Sequence, residues 1–315
     1  MASSPTYNPN LIERHFAQAS HTTAPCGAAL LNRVTAGKYQ PGSTFKLVTA
    51  SAALDTGRFT PSSPFYDPGY CVEYGKQVRN AGNPEAPETF GSVDLSTGFE
   101  HSINSVFCNV GKTLGAATVL RYAERYGLYS LPPLETPENE RVASGLYDHG
   151  VLFRPKNPAT QVDPGRVAFG QERLQVTPLQ MAMITAAVAN HGVEMRPQLI
   201  ERILSPGGQT VTHLKPEALG RPIKRQTADE LTRMMELVVQ GGTGTAAQIP
   251  GMQVAGKTGT AETGRGNINT TWFTAFAPAD RPKIAITVVV ENQAGGFGGT
   301  VAAPIAKQVM EALLR

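Results

Sequence analysis

The chain has 315 residues, 41% hydrophobic and 17% charged, with a formal net charge of +3. That length and balance suit one globular domain, or one with a smaller lobe, and exclude a disordered or fibrous chain. The small charge and the absence of any basic block exclude nucleic acid as the expected partner, and no run nears the roughly 18 apolar residues of a membrane span.

Along the chain, the first 40 residues read as loop-rich, broken by Pro5, Pro9, Pro25 and Pro41. After Pro41-Gly42, residues 43–54 predict a helix with Ser43 as its N-cap, one apolar face at 45, 48, 52 and 53, and a stop at Gly57. Residues 60–92 read as irregular, rich in Pro and Gly. Helices are expected near 94–101, 105–114 and 116–126, then a proline-rich irregular stretch over 131–165. Thr177 caps a further helix, with Pro178 at its first position and Gly192 beyond its end; another amphipathic helix covers 227–240. The last quarter predicts strands at 252–262, 271–277 and 283–291, with 279–282 as one turn and a helix from about 302. Strands joined this closely must be antiparallel. The expected fold class is therefore α+β, an antiparallel sheet flanked by helices with a mostly helical lobe, and the apolar run 284–290 is expected to be its buried central strand. There is no internal repeat or linker, so residues 1–315 read as one domain. Cys26, Cys71 and Cys108 have no metal-ligand spacing, and free buried thiols are their expected state, with a Cys71–Cys108 bridge as the weaker alternative.

Three short motifs carry chemistry. Ser43-x-x-Lys46 sets a hydroxyl and an amine one helical turn apart, and a lysine of lowered pKa can take a serine proton. A serine that simply caps the helix is the ordinary alternative. Ser102-Ile103-Asn104 lies between two predicted helices, where its hydroxyl could relay a proton and its amide hold a carbonyl; Ser and Asn also favour plain turns. Lys257-Thr258-Gly259-Thr260 lies on a predicted strand, where Gly259 admits a substrate backbone and the Thr260 N–H offers an oxyanion donor; a bulged surface strand is the alternative. Residues 251–258 also spell the P-loop pattern, but Pro250 precedes them, Gly259 follows, and too little chain remains for a parallel α/β core.

In this order the motifs resemble the serine acyltransferases with S-x-x-K, S-D-N and K-T-G. The surrounding residues narrow the likeness to class B penicillin-binding proteins and their transpeptidase domain: Ser3-Ser4-Pro5-Thr6-Tyr7-Asn8-Pro9-Asn10, Leu31-Asn32-Arg33, Tyr39-Gln40-Pro41-Gly42-Ser43-Thr44-Phe45-Lys46, Thr177-Pro178-Leu179-Gln180-Met181-Ala182, 255–262, 272–278 and 302–306. The resemblance implies a peptidoglycan D,D-transpeptidase that acylates itself with a D-Ala-D-Ala stem peptide, passes the acyl group to an amine, and is trapped by β-lactams. It implies Ser43 as nucleophile and Lys46 as proton acceptor. Ser102 and Lys257 would transfer protons, while Asn104 orients the acyl side chain. Lys257, Thr258 and Thr260 would bind the terminal carboxylate, Gly259 would complete the substrate-binding strand, and the Ser43 and Thr260 N–H groups would form the oxyanion hole. No metal or cofactor is implied. A membrane glycosyltransferase is the implied partner of the full-length protein, in the bacterial envelope outside the cytoplasm.

The chain also departs from the family pattern. The strand pair usually found before Ser3, the pedestal domain and the membrane anchor are not in this sequence; Ile103 stands where Cys is frequent, and Glu172 where Gly is usual. A D,D-carboxypeptidase, a β-lactamase or a β-lactam sensor could carry the same motifs, although no Glu has the setting of a class A water-activating loop. A non-catalytic scaffold is disfavoured because every motif is complete.

Overall fold

The computed structural model describes residues 1–20, 28–80 and 88–314. Its principal helices are α1 (Ile12–Ser20), α2 (Lys46–Asp55), α3 (Leu95–Glu100), α4 (Asn104–Leu114), α5 (Ala116–Arg125), α6 (Pro178–Ala189), α7 (Arg225–Gln240) and α8 (Gly298–Leu314). Two small antiparallel pairs join β1 (Pro64–Asp67) to β4 (Gly91–Asp94) and β2 (Tyr70–Glu73) to β3 (Lys76–Arg79). The main sheet runs β5 (Ala255–Glu262), β6 (Ile268–Ala277), β7 (Ile284–Ala294), antiparallel throughout.

Sheet alternation divides the core. Trp272 and Phe276 of β6 face the helical lobe, whereas Phe273, Ala275 and Ala277 face Ala302, Ala303, Ala306 and Met310 of α8. All ten residues of α2 are buried, so this helix forms the axis of the lobe rather than one wall of it. In α7 the buried positions 227, 228, 231, 234, 235, 238 and 239 form one helical stripe, as the spacing predicts. Thr177 caps α6 by accepting from the Gln180 N–H at 3.1 Å, with Pro178 next in line.

Several expectations need correction. The apolar run 284–290 lies in β7, an edge strand half-buried along its length; β6 is central and fully packed. Hydrophobic continuity reported that both faces of β7 pack, against α8 on one side and the lobe on the other, but it carries no information about lateral position. The loop-rich first 40 residues contain α1, an exposed helix with a kink at His15. Residues 60–92 contain β1 to β3 and the start of β4, each strand only four residues long; β1 and β2 alternate in burial, but over too short a run to stand out among the prolines and glycines. Cys71 and Cys108 are joined as a disulfide across Cα atoms 6.5 Å apart, in place of two free thiols. Cys26 lies outside the described residues.

Candidate active site

Ser43 is not a helix cap. Residues Gly42–Phe45 form a 3-10 turn leading into α2, and the Lys46 N–H already donates to the carbonyls of Ser43 and Thr44. Gly42 holds φ +51°, and a Cβ there would lie 2.5 Å from the Thr260 carbonyl oxygen. On the other side, a Cβ at Gly259 would meet the Thr44 N at 3.0 Å and the Pro41 O at 2.9 Å. Both neighbours of Ser43 therefore press against β5 at residues 259–260, and only glycines permit that approach. The incoming segment is tied down by Trp272 Nε1 donating to the Gln40 carbonyl at 3.0 Å and by Gly42 N donating to Gly170 O at 3.1 Å. The half-buried Ser43 hydroxyl has no hydrogen-bond partner among the described residues.

Lys46 points inward. Its Nζ donates to Ser102 O at 2.6 Å, Asn104 Oδ1 at 2.8 Å and Ser102 Oγ at 3.3 Å. Lys257 Nζ reaches the same Ser102 Oγ at 2.8 Å, and its own neighbour's carbonyl, Thr258 O, at 3.2 Å. Ser102 holds a left-handed φ of +58° between α3 and α4, fixed by Ile103 N donating to Gly98 O at 2.8 Å. That conformation turns its hydroxyl towards both amines.

Both lysines are fully buried, and all their hydrogen-bond partners are neutral oxygens. Burial lowers the pKa of Lys46 well below its ordinary value, and the charge of Lys257 lowers it further. Burial brings Lys257 down to about 7. At neutral pH this site therefore holds an amine that can accept a proton. Lys46 and Lys257 also lie over the rings of Phe107 and Phe99, at 5.3 and 5.5 Å from the ring centroids.

The Thr258 hydroxyl pairs with the Thr243 hydroxyl at 2.6 Å, and Thr260 Oγ1 accepts from the Gly298 N–H at 3.2 Å. The P-loop spelling has no counterpart here, since residues 255–258 run as strand and no helix follows. The expected residues thus converge: 46, 102, 104 and 257 by direct hydrogen bonds, and 259 and 260 by backbone contact with Gly42 and Thr44 on either side of Ser43. Sequence reasoning did not find Thr243, Asn80 or Asp67. Thr243 lies in a Gly-rich loop and the other two in a stretch read as irregular, so no motif marked them.

The α+β architecture and this Ser-Lys-Ser-Lys cleft define the class of penicillin-recognising serine folds. The sequence profile described as "Penicillin binding protein transpeptidase domain" matches residues 1–311, and the chain belongs to that family. It is 34% identical to the peptidoglycan D,D-transpeptidase PbpA of Mycolicibacterium smegmatis, over all of this chain and 64% of that protein. Among solved structures it is similar to penicillin-binding protein A of M. tuberculosis as a ceftriaxone acyl-enzyme (TM-score 0.87, 32% identity, 100% of this chain and 70% of that one). A D,D-transpeptidase domain from Eggerthella lenta is also similar (TM-score 0.83, 30% identity, 99% and 74% coverage).

Proposed function

We propose that this chain is one D,D-transpeptidase domain over residues 1–315, which acylates Ser43 with a D-Ala-D-Ala stem peptide and passes the acyl group to an amine of a second strand. The observation that carries this reading is the pair of buried amines, without an anionic partner among the described residues, converging on Ser102, with Lys46 one turn on from Ser43. Lys46 takes the Ser43 proton as Oγ bonds to the penultimate carbonyl carbon. The C–N bond then breaks, and the departing D-Ala amine receives its proton through Ser102 and Lys257. Asn104 orients the acyl side chain. The hydroxyls of Thr258 and Thr260, with Lys257, receive the terminal carboxylate, and Gly259 leaves room for the substrate backbone. The backbone N–H groups of Ser43 and Thr260 stabilise the oxyanion. A β-lactam offers the same carbonyl and carboxylate and stalls at the acyl-enzyme. In the parent protein we place this domain outside the cytoplasm, on a membrane anchor and beside a glycosyltransferase.

A fluorescent penicillin tests the assignment. Stable labelling of the parent and none of a folded Ser43→Ala variant is the expected result; equal labelling of that variant would refute it, and rapid release of the label would indicate a lactamase instead.

A further inference from the structure

Asn104 can serve Lys46 only if its amide is turned the right way, and nothing in α4 itself enforces this. The residue before the helix, Ile103, supplies no side-chain cap, so the first N–H groups of α4 depend on partners from elsewhere. Those partners come from the segment 67–80. Asn80 Oδ1 accepts from the N–H groups of Asn104 at 3.0 Å and Ser105 at 3.2 Å, capping the helix from outside. Asn104 Nδ2 donates to the Arg79 carbonyl at 2.9 Å. A carbonyl can only accept, so this bond leaves Asn104 Oδ1 facing the Lys46 amine at 2.8 Å.

Asn80 needs the same kind of constraint, and Asp67 provides it. Asn80 Nδ2 donates to both Asp67 oxygens, at 3.0 and 2.8 Å, and to Glu88 O at 3.1 Å. The Asp67 side chain is fully buried and also accepts from Gly69 N, Phe90 N and Ser105 Oγ. With acceptors on one side only, the Asn80 amide has one orientation, oxygen towards α4. The β2–β3 hairpin that delivers Arg79 and Asn80 is fastened to α4 a second time, one turn on from Asn104, by the Cys71–Cys108 disulfide.

We propose that Asp67 and Asn80 are positioning residues for the acylation step: an Asp67–Asn80 relay holds the adjoining Arg79 carbonyl against the first turn of α4, and so sets the orientation of Asn104 and, through it, the hydrogen bonding of Lys46. This rests on the acyl-serine reading of Ser43. The test uses the time course of fluorescent-penicillin acylation, resolved into the binding constant and the first-order acylation rate across a pH series, with a thermal melt of each protein. Asn80→Ala is expected to acylate tenfold to about a hundredfold more slowly. Its penicillin binding should change less than about threefold, and the acid limb of its pH profile should move to lower pH. That shift follows because a turned Asn104 amide would face the Lys46 amine with donors and disfavour the ammonium, with Lys257 the charged group facing it. A merely structural loosening would lower the melt and leave the limb in place.

Asp67→Asn keeps the size of the side chain but turns its NH2 group towards either Gly69 N or Phe90 N, both donors, and so loosens the hold on Asn80; it is expected to slow acylation about tenfold, with the same movement of the acid limb. A parent-like rate and pH limb in Asn80→Ala, or in a folded Asp67→Asn, overturns the relay. If Asn80→Ala does not fold, Asp67→Asn alone decides by the same rate and limb. Failure of the parent itself to label would instead remove the acyl-serine reading.

Discussion

Two buried polar clusters sit at opposite ends of α2, and they treat charge in opposite ways. At its C-terminal end, Asp55 is surrounded by donors: Lys224 N at 2.7 Å, Tyr122 OH at 2.7 Å, Thr227 Oγ1 at 2.9 Å and the Arg125 guanidinium at 3.5 Å. Burial alone would raise its pKa, but the Lys224 N–H, the two hydroxyls and the Lys224 charge outweigh it and hold the carboxyl below its ordinary value. At the N-terminal end, Lys46 and Lys257 have oxygens to donate to but no anion among the described residues, and burial drives both towards the neutral amine. A matched charge ties α2 to α5 and α7. An unmatched one is held in a reactive protonation state at a cost in stability.

The sharpest way to break this contrast is to remove one group from each end. Lys46→Ala is expected to slow acylation by fluorescent penicillin about a thousandfold, the scale of a lost proton acceptor, in a protein that still melts cooperatively. Asp55→Ala should do the reverse. It leaves Thr227, Tyr122 and the Lys224 N–H without their acceptor and should cost about 3–5 kcal/mol in urea unfolding, while the folded fraction acylates at the parent rate. The sign with pH follows from the lowered pKa: the Asp55 contribution is present above its unfolded value and is lost as pH falls through the folded one. Parent-like stability of Asp55→Ala at pH 7 would show that this cluster is not the structural counterpart described here.

Glu194 offers an intermediate case, buried with Oε1 lacking any partner among the described residues and with Tyr126 as a charged neighbour only when ionised. Burial raises its pKa to about 7 from 4.5. An acid with a raised folded pKa stabilises fully below its unfolded pKa, and that stability is lost as pH rises through the folded one. The parent should therefore lose about 3 kcal/mol between pH 4.5 and 7.5 that Glu194→Gln does not lose, read as a difference in urea midpoints. Equal pH dependence in the two proteins would locate the titration elsewhere.

These clusters also show what the sequence could reveal. The motif residues were legible because their chemistry requires particular side chains at particular separations, and 43, 46, 102, 104 and 257 do gather in one place. The long helices were legible through their apolar stripes, and α6 through Thr177 and Pro178. The sheet was found strand by strand, yet which strand was central was not, since an apolar run says only that two faces are covered. Asp55, Asp67 and Asn80 were invisible. A buried carboxylate or amide is written in the sequence with the same letter as an exposed one, and its role depends on partners as far as 172 residues away. Pairing of Cys71 with Cys108 depended likewise on a hairpin that no pattern announced.

Lys257→Met refines the comparison most, because it separates reactivity from stability in one side chain. On the proposed mechanism the substitution removes proton transfer to Ser102, so acylation should fail. It also removes a buried amine whose folded pKa of about 7 lies below its ordinary 10.5. A base with a depressed folded pKa contributes stability that is present above the unfolded pKa and lost as pH falls through the folded one, so the parent pays most at and below pH 7. Against that relief stand the lost hydrogen bonds to Ser102 Oγ and Thr258 O. The net expectation is a variant about 2 kcal/mol more stable than the parent at pH 7, with the margin shrinking as pH rises towards 10. A margin that is absent at pH 7, or that grows with pH, would mean that Lys257 is matched in the folded protein after all, and the two ends of α2 would no longer differ in kind.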